Sequence, residues 1–212
     1  MHEKVLPKGS LALLMAVEGV DASFLNGWVL AGGTGLALQL GHRVSEDFDF
    51  FRGDAFSAPA MHRLFERAGS YETLQESEDT LTVLAGGVKL SFFRVPDPFI
   101  FDTQTYRGFA ISDVRDIALM KLIAILGGGS RKDFVDLYFI LKGDPTLREY
   151  FDLLPKKYAE GRANAYHILK SLTYFEDAEA EPLPRMLEPF DWEECKGFFV
   201  RQAHAIVLPP GS

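Results

Sequence analysis

Apolar and polar positions alternate in two different ways along this chain, and the change falls near residue 111. Before it, short apolar runs of strand length are interleaved with helical segments. The run 28–31 reads as a strand, Gly32-Gly33-Thr34 breaks it, and residues 36–40 resume with helical character. Phe48 and Phe50 then alternate with Asp47 and Asp49, the period-two pattern of a strand with one buried face. Residues 57–68 predict a helix with Ser57 as its cap and Pro59 in the first turn. Residues 71–76, 80–85 and 88–95 predict three strands, the last two joined by a Gly86-Gly87 hairpin turn, and 106–111 a further extended piece. From Ser112 the signals are helical: 113–127, 131–142, 145–158, 162–171 and 191–206. The expected architecture is α+β, with a mixed sheet and flanking helices over residues 1–111. A helical region over 112–208 completes a cleft, and 209–212 form a loose tail.

Composition narrows the classes. Of 212 residues, 47% are hydrophobic and 25% charged, which describes a globular chain with a substantial core. The formal net charge of −8 opposes non-specific binding of nucleic acid, so an RNA partner needs a local basic surface. Lys156, Lys157, Arg162 and Lys170, on two successive predicted helices, are the candidates. A single cysteine, Cys195, excludes an intrachain disulfide and agrees with a cytoplasmic setting. Lys4 and Lys8 precede an apolar run at 11–17, but Glu18 and Asp21 follow at once without a small-x-small cleavage site, so an ordinary first helix is expected. No apolar run approaches the length of a membrane span, and no membrane partner is expected.

The chemistry concentrates around the glycines. In an extended strand Asp47 and Asp49 point the same way, roughly 7 Å apart at the backbone. Two carboxylates beside a glycine turn that phosphates can approach closely are the parts needed to hold Mg²⁺ or Mn²⁺ and a nucleoside triphosphate. The plainer reading makes them solvated residues on an exposed sheet face. A dinucleotide-binding reading of the glycines lacks its third glycine, since Leu38 stands there and no further βαβ units follow. His42, Arg43 and Ser45 occupy the intervening loop as further candidate nucleotide contacts, with His42 a base, a phosphate contact or simply exposed. Lys121 is the one charge in an apolar helix at 117–126, so its ammonium pairs with a protein carboxylate or a ligand phosphate, or else snorkels to an edge. Ser130 and Asp133 fit a capping box, and Lys132 and Asp136 stand four apart, fit to pair on the surface. With Arg131 these charged residues share an edge that is able to line a cleft.

Together these segments resemble the AbiEii/AbiGii-type nucleotidyltransferase toxin family of the DNA-polymerase-β-like nucleotidyltransferase superfamily. The resemblance rests on Gly-Gly-Thr-Gly-Leu-Ala-Leu (32–38), Gly-His-Arg-x-Ser-x-Asp-x-Asp-Phe-Phe (41–51), Met-Lys-Leu-Ile-Ala-Ile (120–125) and Ser-Arg-Lys-Asp-Phe-Val-Asp-Leu-Tyr-Phe (130–139). It implies a nucleotidyltransferase-like sheet in which Gly32, Gly33 and Thr34 contact triphosphate and Asp47 and Asp49 hold Mg²⁺ or Mn²⁺. Lys121, Lys132, Asp133 and Asp136 form the second half of the site. It also implies metal-dependent transfer of a nucleotide from an NTP to an RNA (tRNA-like) or protein acceptor, and an antitoxin protein as partner in a bacterial toxin–antitoxin or phage-defence pair. The alternative is a nucleotide-binding protein without catalysis that acts through a partner. The chain departs from the superfamily in three places. Gly32-Gly33 replaces the usual Gly-Ser, a change the toxin branch often shows. A third carboxylate is common on a later strand, where 88–93 supplies Ser91. A linker arginine gives way to Gly127-Gly128-Gly129. The last two changes bear on turnover, not on fold.

Overall fold

The computed structural model describes residues 1–21, 23–143 and 146–206, so the expected tail at 209–212 and the start of the helix expected at 145–158 lie outside the described residues. The chain forms two compact units, Met1–Asp113 and Val114–Ser212.

The first unit is built on a seven-stranded sheet. Its strands are β1 (Val29–Ala31), β2 (Phe48–Arg52), β3 (Tyr71–Ser77), β4 (Thr80–Ala85), β5 (Val88–Arg94), β6 (Gln104–Tyr106) and β7 (Phe109–Ile111), in the order β3-β4-β5-β2-β1-β7-β6. Antiparallel hairpins join β3, β4 and β5, while β5 runs parallel to β2 and β7 parallel to β1, which makes the sheet mixed. Three helices accompany it: α1 (Lys8–Val20), α2 (Gly32–Leu40) and α3 (Ala58–Ala68). The pleat sorts the side chains. Phe50 and Phe92 face the core, where Phe92 meets Phe65 of α3 at 6.1 Å and Phe24 at 5.7 Å between ring centres. Asp49 and Ser91 face the other way.

Two hairpin turns show how far the pattern reaches. Gly86 and Gly87 have φ of 56° and 79°, the pair of positive values that a two-residue turn demands and glycine supplies without strain. The stretch 106–111, expected as one extended piece, is instead a hairpin that turns at Arg107 (φ 44°) and Gly108 (φ 84°). A left-handed arginine costs about 1–2 kcal/mol. Its guanidinium donates to Glu3 Oε1 at 2.8 Å and 3.1 Å, and Tyr106 Oη donates to the same oxygen at 2.7 Å, a tie that holds the turn.

The second unit is helical: α4 (Val114–Leu126), α5 (Arg131–Leu141), α6 (Leu147–Lys157), α7 (Ala165–Ser171), the short α8 (Glu176–Glu179) and α9 (Trp192–Ala205). Phe134 of α5 anchors its core edge-on to Trp192 and Phe199, with ring centres 6.1 Å and 5.5 Å away. Both α5 and α6 start with reciprocal caps in which Ser130 pairs with Asp133 and Thr146 with Glu149. Among the described residues no helix is long and apolar enough to cross a membrane.

Candidate functional site

The glycines expected to break the chain after β1 are in fact the first turn of α2, so strand passes directly into helix. Ala31 at the N-cap has no side-chain acceptor for the first amides of that helix. An uncapped helix N-terminus is an anion site in waiting: its amides lack partners and its dipole is positive there. Gly32 has φ 60°, and a Cβ at this position would lie 2.9 Å from Asp49 Oδ2. The helix start and the carboxylate thus touch, and only glycine permits it. Gly33 is equally confined, because a Cβ there would collide with the Arg43 guanidinium and meet Ser45 Oγ at 3.4 Å. Thr34 closes the turn. Its hydroxyl stands against the Asp47 carbonyl and 2.7 Å from Ser45 Oγ. The carbonyl can only accept, so the Thr34 proton goes to it and the Ser45 hydroxyl donates to Thr34.

Register fixes the carboxylates. Asp49 pairs with Ala31 on one side and Ser91 on the other, which puts Ser91 abreast of it on the same face. Asp47, expected inside the strand, stands one residue ahead of β2, and Lys89 Nζ lies 3.1 Å from its Oδ2. Lys89 and Ser91 are two apart on β5 and share that face. Lys89 escaped the sequence reading although its spacing from Ser91 carried the signal. Two carboxylates and a hydroxyl are fewer donors than an all-protein cation cage needs, and no group of three or more His, Cys, Asp or Glu side chains able to hold a metal occurs among the described residues. The pair does fit Mg²⁺, which takes one or two carboxylates and completes its shell with water and substrate phosphates.

The loop residues are less open than expected. Arg43 and Ser45 are buried, and His42 has no exposed surface, which removes its reading as an exposed loop side chain. Ser45 is further tied by its amide to the Val5 carbonyl at 3.0 Å.

In the second unit, Lys121 on α4 answers its question plainly. Its ammonium lies 2.8 Å from Asp133 Oδ1 and 2.7 Å from Asp136 Oδ2, so the partners are protein carboxylates. Burial pulls the Lys121 pKa down, but attraction to Asp136 and then Asp133, with their hydrogen bonds, outweighs it and leaves the group above its ordinary value. Asp136 is fully buried, so the surface pair expected with Lys132 does not form; Lys132 is exposed, with no ion-pair partner among the described residues. Lys157 also departs from expectation. It is buried and ion-paired to Asp116 at 2.7 Å, which removes it from the basic face expected with Lys156, Arg162 and Lys170.

A mixed sheet whose first strand runs into a glycine-started helix beside an Asp-x-Asp strand defines a nucleotidyltransferase fold. The chain belongs to the family described as "Nucleotidyl transferase AbiEii toxin, Type IV TA system", which it matches over residues 14–207. It is 39% identical over 188 residues to the uncharacterized protein aq_aa25 of Aquifex aeolicus (strain VF5), covering 86% of this chain and 89% of that one. Solved structures share its fold. JHP933 from Helicobacter pylori has a TM-score of 0.56 at 18% identity, covering 94% of this chain and 92% of its own. MenT4, the nucleotidyltransferase toxin Rv2826c from Mycobacterium tuberculosis H37Rv, has a TM-score of 0.52 at 15% identity, covering 94% and 85%.

Proposed function

We propose that this nucleotidyltransferase transfers a nucleotide from an NTP to an RNA (tRNA-like) or protein hydroxyl in a metal-dependent reaction, as the cytoplasmic toxin partner of an antitoxin protein. The observation that carries the proposal is the apposition of Gly32 and Asp49. A helix N-terminus attracts phosphate, while the adjacent carboxylates repel it, and a cation between them reconciles the two. Asp47 and Asp49 would hold Mg²⁺ or Mn²⁺, which when bound supplies charge neutralisation at the phosphates. The amides of Gly32, Gly33 and Thr34 take phosphate oxygens, while Arg43 and Ser45 fix the turn from behind. The attacking hydroxyl oxygen forms a bond to the α-phosphorus, the bond from that phosphorus to the bridging oxygen breaks, and pyrophosphate leaves.

Within the helical unit, Lys121, Lys132, Asp133 and Asp136 are the residues we assign to the reaction. A lysine held by two carboxylates is not a free cation, so Lys121 is the positioning residue that orients Asp133 and Asp136. Lys132, exposed and without an ion pair among the described residues, is available to meet an anion. With Ser91 abreast of Asp49, no third carboxylate takes up the hydroxyl proton from that strand, and the proton goes to Asp133, Asp136 or water. General-base help is worth about 10² to 10⁴ in rate, so turnover is slow. The same serine favours a second reading, a nucleotide-binding protein without turnover that acts through its partner.

The test is transfer of label from each NTP to total RNA and to protein in Mg²⁺, beside calorimetric binding. Wild type transfers slowly, Asp47→Asn with Asp49→Asn abolishes transfer and metal-dependent binding, and Ser91→Asp raises the rate. NTP binding without transfer establishes the second reading. Equal NTP affinity with and without metal removes the metal site.

A further inference from the structure

A cavity of about 550 Å³ opens in the first unit where β2 ends and α3 begins, well inside the range of small-ligand sites. Arg52, Arg63 and Arg67 line it together with the rings of Phe24, Trp28 and Phe56. Its position separates it from the nucleotide-transfer residues. Arg52 follows Asp49 by three residues along β2, about 10 Å of strand, and the pleat turns it to the Phe50 face, opposite to Asp49.

The cavity's charge is poorly matched by the protein. The Arg52 guanidinium lies over Trp28, 5.1 Å from the ring centre, and its buried Nε has no hydrogen-bond acceptor among the described residues. The nearest paired carboxylate, Asp54, is 4.0 Å away and 94% exposed, which makes it a weak counter-charge. Arg63 and Arg67 stand four apart on α3, hence on one side of it, and both are exposed. Among the described residues one carboxylate lines the cavity, Asp21; the Ser23 amide at 2.8 Å and hydroxyl at 2.7 Å engage it, and it is attracted to Arg67. Three guanidinium groups with at most one free carboxylate, in a chain of net charge −8, form a local inversion of sign. Guanidinium recognises phosphate with forked hydrogen bonds, and the ring pair Trp28–Phe56, edge to face at 5.3 Å, offers a wall for a flat group.

We propose that this cavity is a second ligand site, separate from the site of nucleotide transfer, which takes a small phosphorylated molecule carrying a flat ring, the chemistry of a nucleoside monophosphate. Arg52 grips the phosphate from the floor, Arg63 and Arg67 close on it from α3, and the ring lies against Phe56, beside the nearly buried Trp28.

Trp28 reports the site directly. In the full chain with Trp192→Phe it is the remaining tryptophan. Titrating adenosine monophosphate in EDTA should quench Trp28 saturably, with inorganic phosphate and adenosine each binding more weakly. Arg52→Gln should weaken binding roughly tenfold or more, the loss expected for one charged hydrogen bond. Arg63→Glu with Arg67→Glu, both on exposed positions that do not threaten folding, should do the same. Asp47→Asn with Asp49→Asn should leave this binding in place, which separates it from the transfer site. No saturable quench into the millimolar range overturns the proposal, as does an affinity unmoved by the Arg63/Arg67 variant. Adenosine binding as well as its monophosphate overturns the phosphate grip, and inorganic phosphate binding as well as the nucleotide overturns the ring wall.

Discussion

Lys89 offers the sharpest test of the carboxylate pair, because its removal moves two affinities in opposite directions. Its ammonium sits 3.1 Å from Asp47 Oδ2, with the two side chains 43% and 41% exposed. A bare Coulomb estimate at that distance exceeds 1 kcal/mol even in water, but exposure and side-chain entropy bring such pairs down to about 0.2–1 kcal/mol. A metal that takes Asp47 must first displace this partner. Lys89→Met keeps the aliphatic stem on the half-exposed strand and deletes the charge. Mn²⁺ should then bind the protein alone roughly two- to fivefold more tightly, the equivalent of about 0.5–1 kcal/mol. In the presence of metal the NTP should bind less tightly, since the displaced ammonium is a cation beside the carboxylate that would hold the metal. Free Mn²⁺ measured by electron paramagnetic resonance gives the first quantity, and calorimetry the second. Mn²⁺ affinity that is unchanged or weaker in Lys89→Met would refute the reasoning, because the ion would then not be using Asp47.

Three further outcomes follow from contacts elsewhere. Gly32→Ala should destabilise the first unit by about 1–2 kcal/mol through its left-handed backbone and also displace Asp49, so thermal melting and Mn²⁺ affinity should fall together. Lys157→Met leaves Asp116 buried without its ammonium and should cost about 3–5 kcal/mol in urea denaturation, of which Asp116→Asn in the same chain recovers a part. Burial pushes the Cys195 thiol up to about 12 from 9.0, so it should resist iodoacetamide at neutral pH until the protein unfolds. That thiol stays neutral in the folded chain while the unfolded one ionises, so its share of stability, intact below pH 9, declines toward pH 12.

What was legible in the sequence was local. The strand carrying Asp49 announced itself by alternation with Phe48 and Phe50, and Gly86-Gly87 by a turn chemistry that two adjacent positive φ values readily accept. The cap of α5 was equally plain, since Ser130 and Asp133 are three apart and need nothing else. What escaped depended on distant partners. Arg107 adopts a left-handed turn because Glu3 holds it, and no residue near 107 says so. Lys157 looks like a surface lysine at the end of an amphipathic helix, and only the fold brings Asp116 to it. Lys89 acquired its meaning from Asp47 on a neighbouring strand. The sequence shows the glycines after β1 only as a break in the strand, whereas the close approach of Asp49 to Gly32 and of Arg43 to Gly33 makes glycine the start of α2.

The sheet also has a history written into its strand order. β1 lies between β2 and β7, and Val29 and Leu30 pair with Ala110 and Ile111. A chain emerging from the ribosome can join β1 to β2 early, and β3, β4 and β5 follow one another as hairpins. The other edge of β1 stays bare until the last strands of the unit are made, an unpaired row of amides and carbonyls two strands in from one side of the future sheet. The Glu3 tie to Tyr106 and Arg107 forms no sooner, since it spans 103 positions. This protein therefore completes its sheet late, where the β6–β7 hairpin joins β1. The strands that hold the glycines against Asp49 can assemble well before the strand that seals them, and until then the half-made chain is exposed to pairing with the wrong edge.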